Sequence, residues 1–128
     1  MHTQTDGKIK VGSIGTLYRV PVIDDDLVEA TFDPSTASIK KIYFKMPNGN
    51  GTFQTVSRDA SVASVDIDGV STFCLTYVVV SADAAEFHLA PGLMEIEGYL
   101  EYPDGKKWRS DGITTDQRGR PLRIYPNL

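Results

Sequence analysis

Short bursts of strict alternation between apolar and polar residues constrain this chain more than any other feature. Tyr18, Val20 and Val22 alternate with Leu17, Arg19 and Pro21, and Ile42, Phe44 and Met46 alternate with Lys41, Tyr43 and Lys45. Phe73, Leu75, Tyr77 and Val79 share one parity against Thr72, Cys74, Thr76 and Val78. Met94, Ile96, Leu100 and Tyr102 form a further run, with Glu95, Glu97 and Glu101 on the other parity. Successive strand side chains point to opposite faces, so each run predicts a strand with one buried and one wet face. Together they predict antiparallel sheets solvated on one side. Weaker strands are expected over Lys8 to Val11, Thr52 to Val56, Val62 to Ile67, Lys106 to Ser110 and Leu122 to Tyr125.

Turn chemistry separates the runs. Asn48-Gly49-Asn50-Gly51 carries two Asn-Gly pairs, which suit the positive φ of tight turns. Asp68-Gly69 and Pro103-Asp104-Gly105 predict further hairpins. Gly12 and Gly15 precede an alternating strand rather than a helix, so they predict a bend, not a phosphate loop. One helical crossover is expected near residues 83–89, with Asp83 as cap, Glu86 reaching back and Pro91-Gly92 ending it. The polar stretch from Asp111 to Pro121 predicts one exposed loop or bulge. The expected fold is therefore all-β: an antiparallel β-sandwich of about seven to nine strands over residues 8–128, after a flexible N-terminus at 1–7.

Composition excludes several function classes. The chain has 128 residues, one domain by length, and a net charge of −4, which argues against nucleic acid as a partner. No apolar run approaches the length of a membrane span, and the first residues do not read as a secretory signal, so neither membrane nor export is expected. A lone cysteine, Cys74, rules out an internal disulfide.

The search for catalytic chemistry yields little. His2 and His88 are the only histidines, the first in a terminus expected to be mobile and the second in the expected crossover, so no base is expected to be held beside a nucleophile. Cys74 sits between Phe73 and Leu75, the setting of an inert buried thiol. Asp24-Asp25-Asp26 and Asp66-Ile67-Asp68-Gly69 offer oxygens but complete no calcium loop. No catalytic residue, metal site or cofactor is expected. Glu95, Glu97 and Glu101 are expected to share a solvent face with Lys41 and Lys45 and to pair partly across strands.

The feature with interaction character lies near the C-terminal end. Trp108, Arg109, Arg118, Arg120, Arg123 and Tyr125 bring together the residue types enriched at protein interfaces, and they form the expected partner-docking set. Docking is expected to tolerate loss of any single carboxylate but to suffer from loss of Trp108.

The order of elements also carries a resemblance. Lys8-Ile9-Lys10-Val11-Gly12-Ser13-Ile14-Gly15-Thr16 opens the chain's ordered part, Ile42-Tyr43-Phe44-Lys45-Met46-Pro47-Asn48-Gly49 follows, and Gly98-Tyr99-Leu100-Glu101-Tyr102-Pro103-Asp104-Gly105 closes toward Trp108 and Ser110-Asp111. These segments resemble the small immunoglobulin-like β-sandwich domains of tailed-phage structural proteins, such as the N-terminal domain of baseplate upper proteins. The helical piece from Ala84 to Leu89 and the Arg-rich loop before the last strand depart from that pattern. The resemblance implies a virion subunit of the neck, tail or baseplate, in several copies, bound to a ring or fibre protein. It implies no catalytic residues. A competing reading is a carbohydrate- or cell-surface-binding module, in which Tyr99, near Glu97 and Glu101, and Tyr43, near Lys41 and Lys45, would meet the glycan.

Overall fold

The computed structural model describes residues 8–22, 33–67, 69–116 and 118–127. The expectations for a flexible 1–7 segment, for Asp24 to Asp26 and for Asp68 lie outside the described residues. Ten strands are described: β1 (Ile9–Lys10), β2 (Leu17–Pro21), β3 (Ile39–Gly49), β4 (Thr52–Asp59), β5 (Ser61–Ile67), β6 (Val70–Val78), β7 (Gly92–Leu93), β8 (Glu95–Glu101), β9 (Lys107–Arg109) and β10 (Arg123–Tyr125). Short 3₁₀ turns at Pro34–Thr36 and Ser81–Ala85 are the helical elements among the described residues. The fold is all-β and, apart from the short β1–β10 pair, antiparallel. The strand count exceeds the expected seven to nine because β7 stands apart from β8 at Met94.

Pairing divides the strands into the orders β4-β3-β8-β9, β1-β10-β7 and β2-β6-β5. The first two are continuous in practice. Ser110 N–H donates to Gly98 O, Ile96 and Ile113 exchange both backbone bonds, and Met94 N–H donates to Leu122 O. The run from Gly92 to Glu101 therefore keeps neighbours along one edge throughout, first β10, then Ile113, then β9. The result is one large sheet and one small sheet, β2-β6-β5.

The two sheets press their apolar faces together. Ile42, Phe44 and Met46 of β3 and Ile96 and Leu100 of β8 are buried against Tyr18 and Val20 of β2 and Leu75 of β6 in one cluster. Tyr18 meets Phe44 edge-on at 5.0 Å, and Phe44 meets Phe87 at 4.9 Å. Such pairs each add about 0.5–1.5 kcal/mol beyond the area they bury. Gly98 lets the sheets approach closely: a Cβ there would lie 3.0 Å from Val20 Cγ1 and 3.2 Å from Leu75 Cδ1. Ala60 links the sheets, since β4 and β5 join there into one run of backbone that leaves β3 for β6. Its N–H still donates to Lys40 O at 2.9 Å.

Three expectations need correction. The crossover is a single 3₁₀ turn with Val80 as its cap residue, not two turns over 83–89. Asp83 reaches back to the Val80 N–H at 2.9 Å, while Glu86 turns away to meet Arg58 Nη2 at 2.7 Å. The segment from Asp111 to Pro121 is not one exposed loop, because Ile113 pairs with Ile96 and is buried, and Thr115 bridges Pro121. Phe73 shares its parity with the buried Leu75 but is 42% exposed, opposite Ser64 midway along the β5–β6 ladder.

Candidate functional site

The strand pleat decides which side chains face outward from the large sheet. On β3 the outward parity is Lys41, Tyr43 and Lys45, and on β8 it is Glu95, Glu97, Tyr99 and Glu101. The register sets Lys45 opposite Glu95, Tyr43 opposite Glu97 and Lys41 opposite Tyr99. The lysine and glutamate rows thus share one outward face, as the alternation predicts. The ion pair described here, however, joins Glu97 to Arg109 of β9 rather than to a lysine, with Arg109 Nη1 donating to Glu97 Oε1 at 2.9 Å.

Arg109 organises the centre of this face. Its guanidinium lies 5.0 Å from the Tyr99 ring centroid and 5.5 Å from that of Tyr43. The two rings meet edge-on, 6.3 Å apart. Tyr99 O–H donates to Glu101 Oε2 at 2.7 Å, a bond that raises the phenol above its ordinary pKa. Each member limits the freedom of the next: Glu97 orients the guanidinium, the guanidinium lies over both rings, and Glu101 fixes the Tyr99 hydroxyl. A pre-ordered cluster of this kind loses little side-chain entropy when a partner covers it.

The same face carries an apolar cleft toward the β3–β4 hairpin. Phe53 and Leu93, 53% and 52% exposed, flank an open cleft of about 170 Å³ lined also by Lys45, Met94, Glu95 and Thr114. Lys45 Nζ lies 5.5 Å from the Phe53 ring centroid. Sequence reasoning missed both apolar residues. The available signal was parity, because Phe53 lies an odd number of residues from the buried Val56 and so points outward with Thr55.

Of the six residues expected to dock a partner, the structure separates Trp108 from the rest. Trp108 is 6% exposed and belongs to the core, with Cζ3 against the Gly98 position. Lys107 and Arg109 flank it on β9 and are exposed, so the alternation that exposes Arg109 turns Trp108 inward. Arg123 and Tyr125 project from β10 on the parity opposite to the buried Ile124, with Arg123 beside Leu93 in the register. Lys8 Nζ lies 5.1 Å from the Tyr125 ring centroid. Arg120 pairs with Asp116 at 3.2 Å, and the exposed Arg118 lies in the same loop, where its N–H donates to Asp116 Oδ1. Burial alone would raise the Asp116 carboxyl, but the backbone N–H groups of Arg120 and Arg118 and the Arg120 charge hold it below the ordinary value.

His88 and Cys74 are committed to the fold. His88 Nδ1 lies 2.9 Å from Ser13 O and Nε2 lies 2.7 Å from the Tyr18 hydroxyl. Cys74 is fully buried, and burial raises its thiol pKa. Among the described residues no three His, Cys, Asp or Glu side chains gather as metal ligands, and no helix is long and apolar enough to cross a membrane. No protein-family model, curated protein or solved structure matches this chain.

Proposed function

We propose that the chain is a non-catalytic interaction module that docks a protein partner through the outward face of its large sheet. The Tyr43–Tyr99–Arg109 cluster carries this reading: tyrosine and arginine in a fixed arrangement are the residue types that dominate protein interfaces. The neighbouring Phe53–Leu93 cleft would receive an apolar side chain of the partner. Arg123 and Tyr125 extend the face with positive charge in a chain whose net charge is −4.

The sequence resemblance supplies the setting. On it, the module is an immunoglobulin-like β-sandwich subunit of a tailed-phage virion, at the neck, tail or baseplate, held in several copies against a ring or fibre protein. A glycan-binding role for the same face is less well supported, because Arg109 already occupies the tyrosine faces on which a sugar would stack.

Copy-number mass spectrometry on purified particles tests the setting. The expected result is a stoichiometry that is a multiple of three or six, with cross-links from Lys41, Lys45 or Lys107 to a larger subunit. A chain absent from particles and free in the lysate overturns the virion reading. Glycan-array binding lost in Tyr99→Ala would replace it with the carbohydrate reading.

A further inference from the structure

We propose that β5 pairs edge to edge with β5 of a second copy of this chain. The backbone directions along the small sheet show which groups are available. Val22 N–H donates to Phe73 O at 2.8 Å, so Phe73 and, by alternation, Leu75 and Tyr77 turn their backbone groups toward β2. Val70, Thr72, Cys74 and Thr76 therefore turn theirs toward β5, where the register gives them Ile67, Val65, Ala63 and Ser61. Val62, Ser64 and Asp66 are left with their N–H and C=O groups directed away from β6. Among the described residues no strand lies beyond β5.

Among the described residues the other sheet edges carry lysine, arginine or proline, and this one carries none of them. β9 carries Lys107 and Arg109, β4 carries Arg58 and Asp59, and β2 carries Arg19 and Pro21. At the edge of β1, Lys10 N–H is taken up by Ser13 Oγ at 2.9 Å. β5 reads Ser-Val-Ala-Ser-Val-Asp-Ile, with no proline, no lysine and no break in its register against β6. Edge strands without such devices are templates for a further strand.

The sequence of β5 favours itself as that strand. An antiparallel two-fold centred on Ser64 sets Ser64 against Ser64 of the second copy, Val62 against its Asp66, and Ala63 against its Val65. Every outward N–H and C=O of Val62, Ser64 and Asp66 then finds a partner, and the whole seven-residue strand is used. The only charged residue of β5, Asp66, faces valine rather than its own copy. The interface is isologous and closes at two copies, and the joined small sheets run as β2-β6-β5-β5-β6-β2.

Sedimentation velocity over a concentration series tests this. The expected result is a reversible monomer–dimer equilibrium. Ser64→Pro removes an N–H that the protomer does not use, and it should give a monomer that melts as the wild-type monomer does. Ser64→Lys sets two ammonium groups side by side on the two-fold axis and should weaken association at least about tenfold. Should the proline variant fail to fold, the lysine variant carries the test alone. Amide exchange gives an independent readout: Val62, Ser64 and Asp66 should slow as concentration rises, while Ala63 and Val65 stay slow throughout. A chain that is monomeric at millimolar concentration, or a dimer that Ser64→Lys leaves intact, overturns the proposal.

Discussion

The Tyr18 hydroxyl and His88 Nε2 lie 2.7 Å apart in the buried centre of the molecule, joining β2 to the segment that leaves the small sheet. His88 Nδ1 faces the Ser13 carbonyl, so Nδ1 carries the proton and Nε2 accepts from Tyr18. Burial, the larger effect, lowers the His88 pKa below its ordinary 6.5, although the Ser13 carbonyl opposes it. A base whose pKa is depressed on folding binds more protons in the unfolded chain, so stability rises with pH across that window. The melting temperature should be level above about pH 6.5 and decline as pH falls from there toward the lowered value. Tyr18→Phe leaves Nε2 buried without its donor and should cost about 1–3 kcal/mol. Thermal melts at a series of pH values check both; a flat profile from neutral pH to pH 5 would remove His88 as the titrating group.

Asp83 should govern a second, more acidic transition. It is 4% exposed and accepts from Arg58 Nε at 3.0 Å, Tyr77 O–H at 2.5 Å and Val80 N–H at 2.9 Å. Burial would raise its pKa, but these three donors prevail and hold it below the ordinary 3.8. Its contribution is complete above that ordinary value and is lost as pH falls through the lowered one. Asp83→Asn keeps the shape and removes the charge, and it should abolish this acid limb. Asp83→Ala takes the shared acceptor from Tyr77 O–H, Val80 N–H and Arg58 Nε, while Glu86 still holds Arg58 Nη2, and should cost about 1–3 kcal/mol in urea unfolding. Unchanged acid titration in Asp83→Asn would show that another carboxyl controls the limb.

The contact at Gly98 sets a steric prediction. A methyl group there meets Val20, Leu75 and Trp108 at 3.0–3.3 Å, all of them core side chains. Gly98→Ala should destabilise by about 1–3 kcal/mol through overpacking. Trp108→Ala, on the other side of the same contact, should cost about 3–5 kcal/mol through the cavity it leaves. Chemical denaturation measures both, and a Trp108→Ala protein as stable as wild type would contradict its place in the core.

Docking should separate from stability at the outward face. Arg109→Ala, Tyr43→Ala and Phe53→Ala each remove an exposed or half-exposed group and should shift folding stability by under about 1 kcal/mol. Each should weaken binding to the partner about tenfold or more. Titration calorimetry with the partner identified by cross-linking, run beside thermal melts, distinguishes the two effects. Variants that bind normally would move the docking site off this face.

The strands were legible because their alternation is strict where the sheets overlap. Met94, Ile96 and Leu100 against Glu95, Glu97 and Glu101 leave no choice of face. Trp108 was legible too, since Lys107 and Arg109 beside it fix its parity, yet its residue type pointed to an interface. Phe73 was not legible, because alternation gives the face of a strand but not where the opposing sheet ends. The role of Asp83 was equally hidden: its capping pattern is local, whereas Arg58, the partner that holds it, lies on β4, twenty-five residues away in sequence. The aromatic cluster needed the β3–β8–β9 register, since Tyr43, Tyr99 and Arg109 come from three separate strands.

The passage of one backbone run from β4 to β5 through Ala60 has a mechanical consequence. A load applied at the outward face of the large sheet reaches the edge of the small sheet along a covalent path, without crossing the side-chain contacts between them. Shearing the layers apart must therefore strip β4 from β3 or β5 from β6, with the loss of a ladder that spans most of either strand. A protein built this way yields by tearing strands out of register rather than by sliding one sheet over the other.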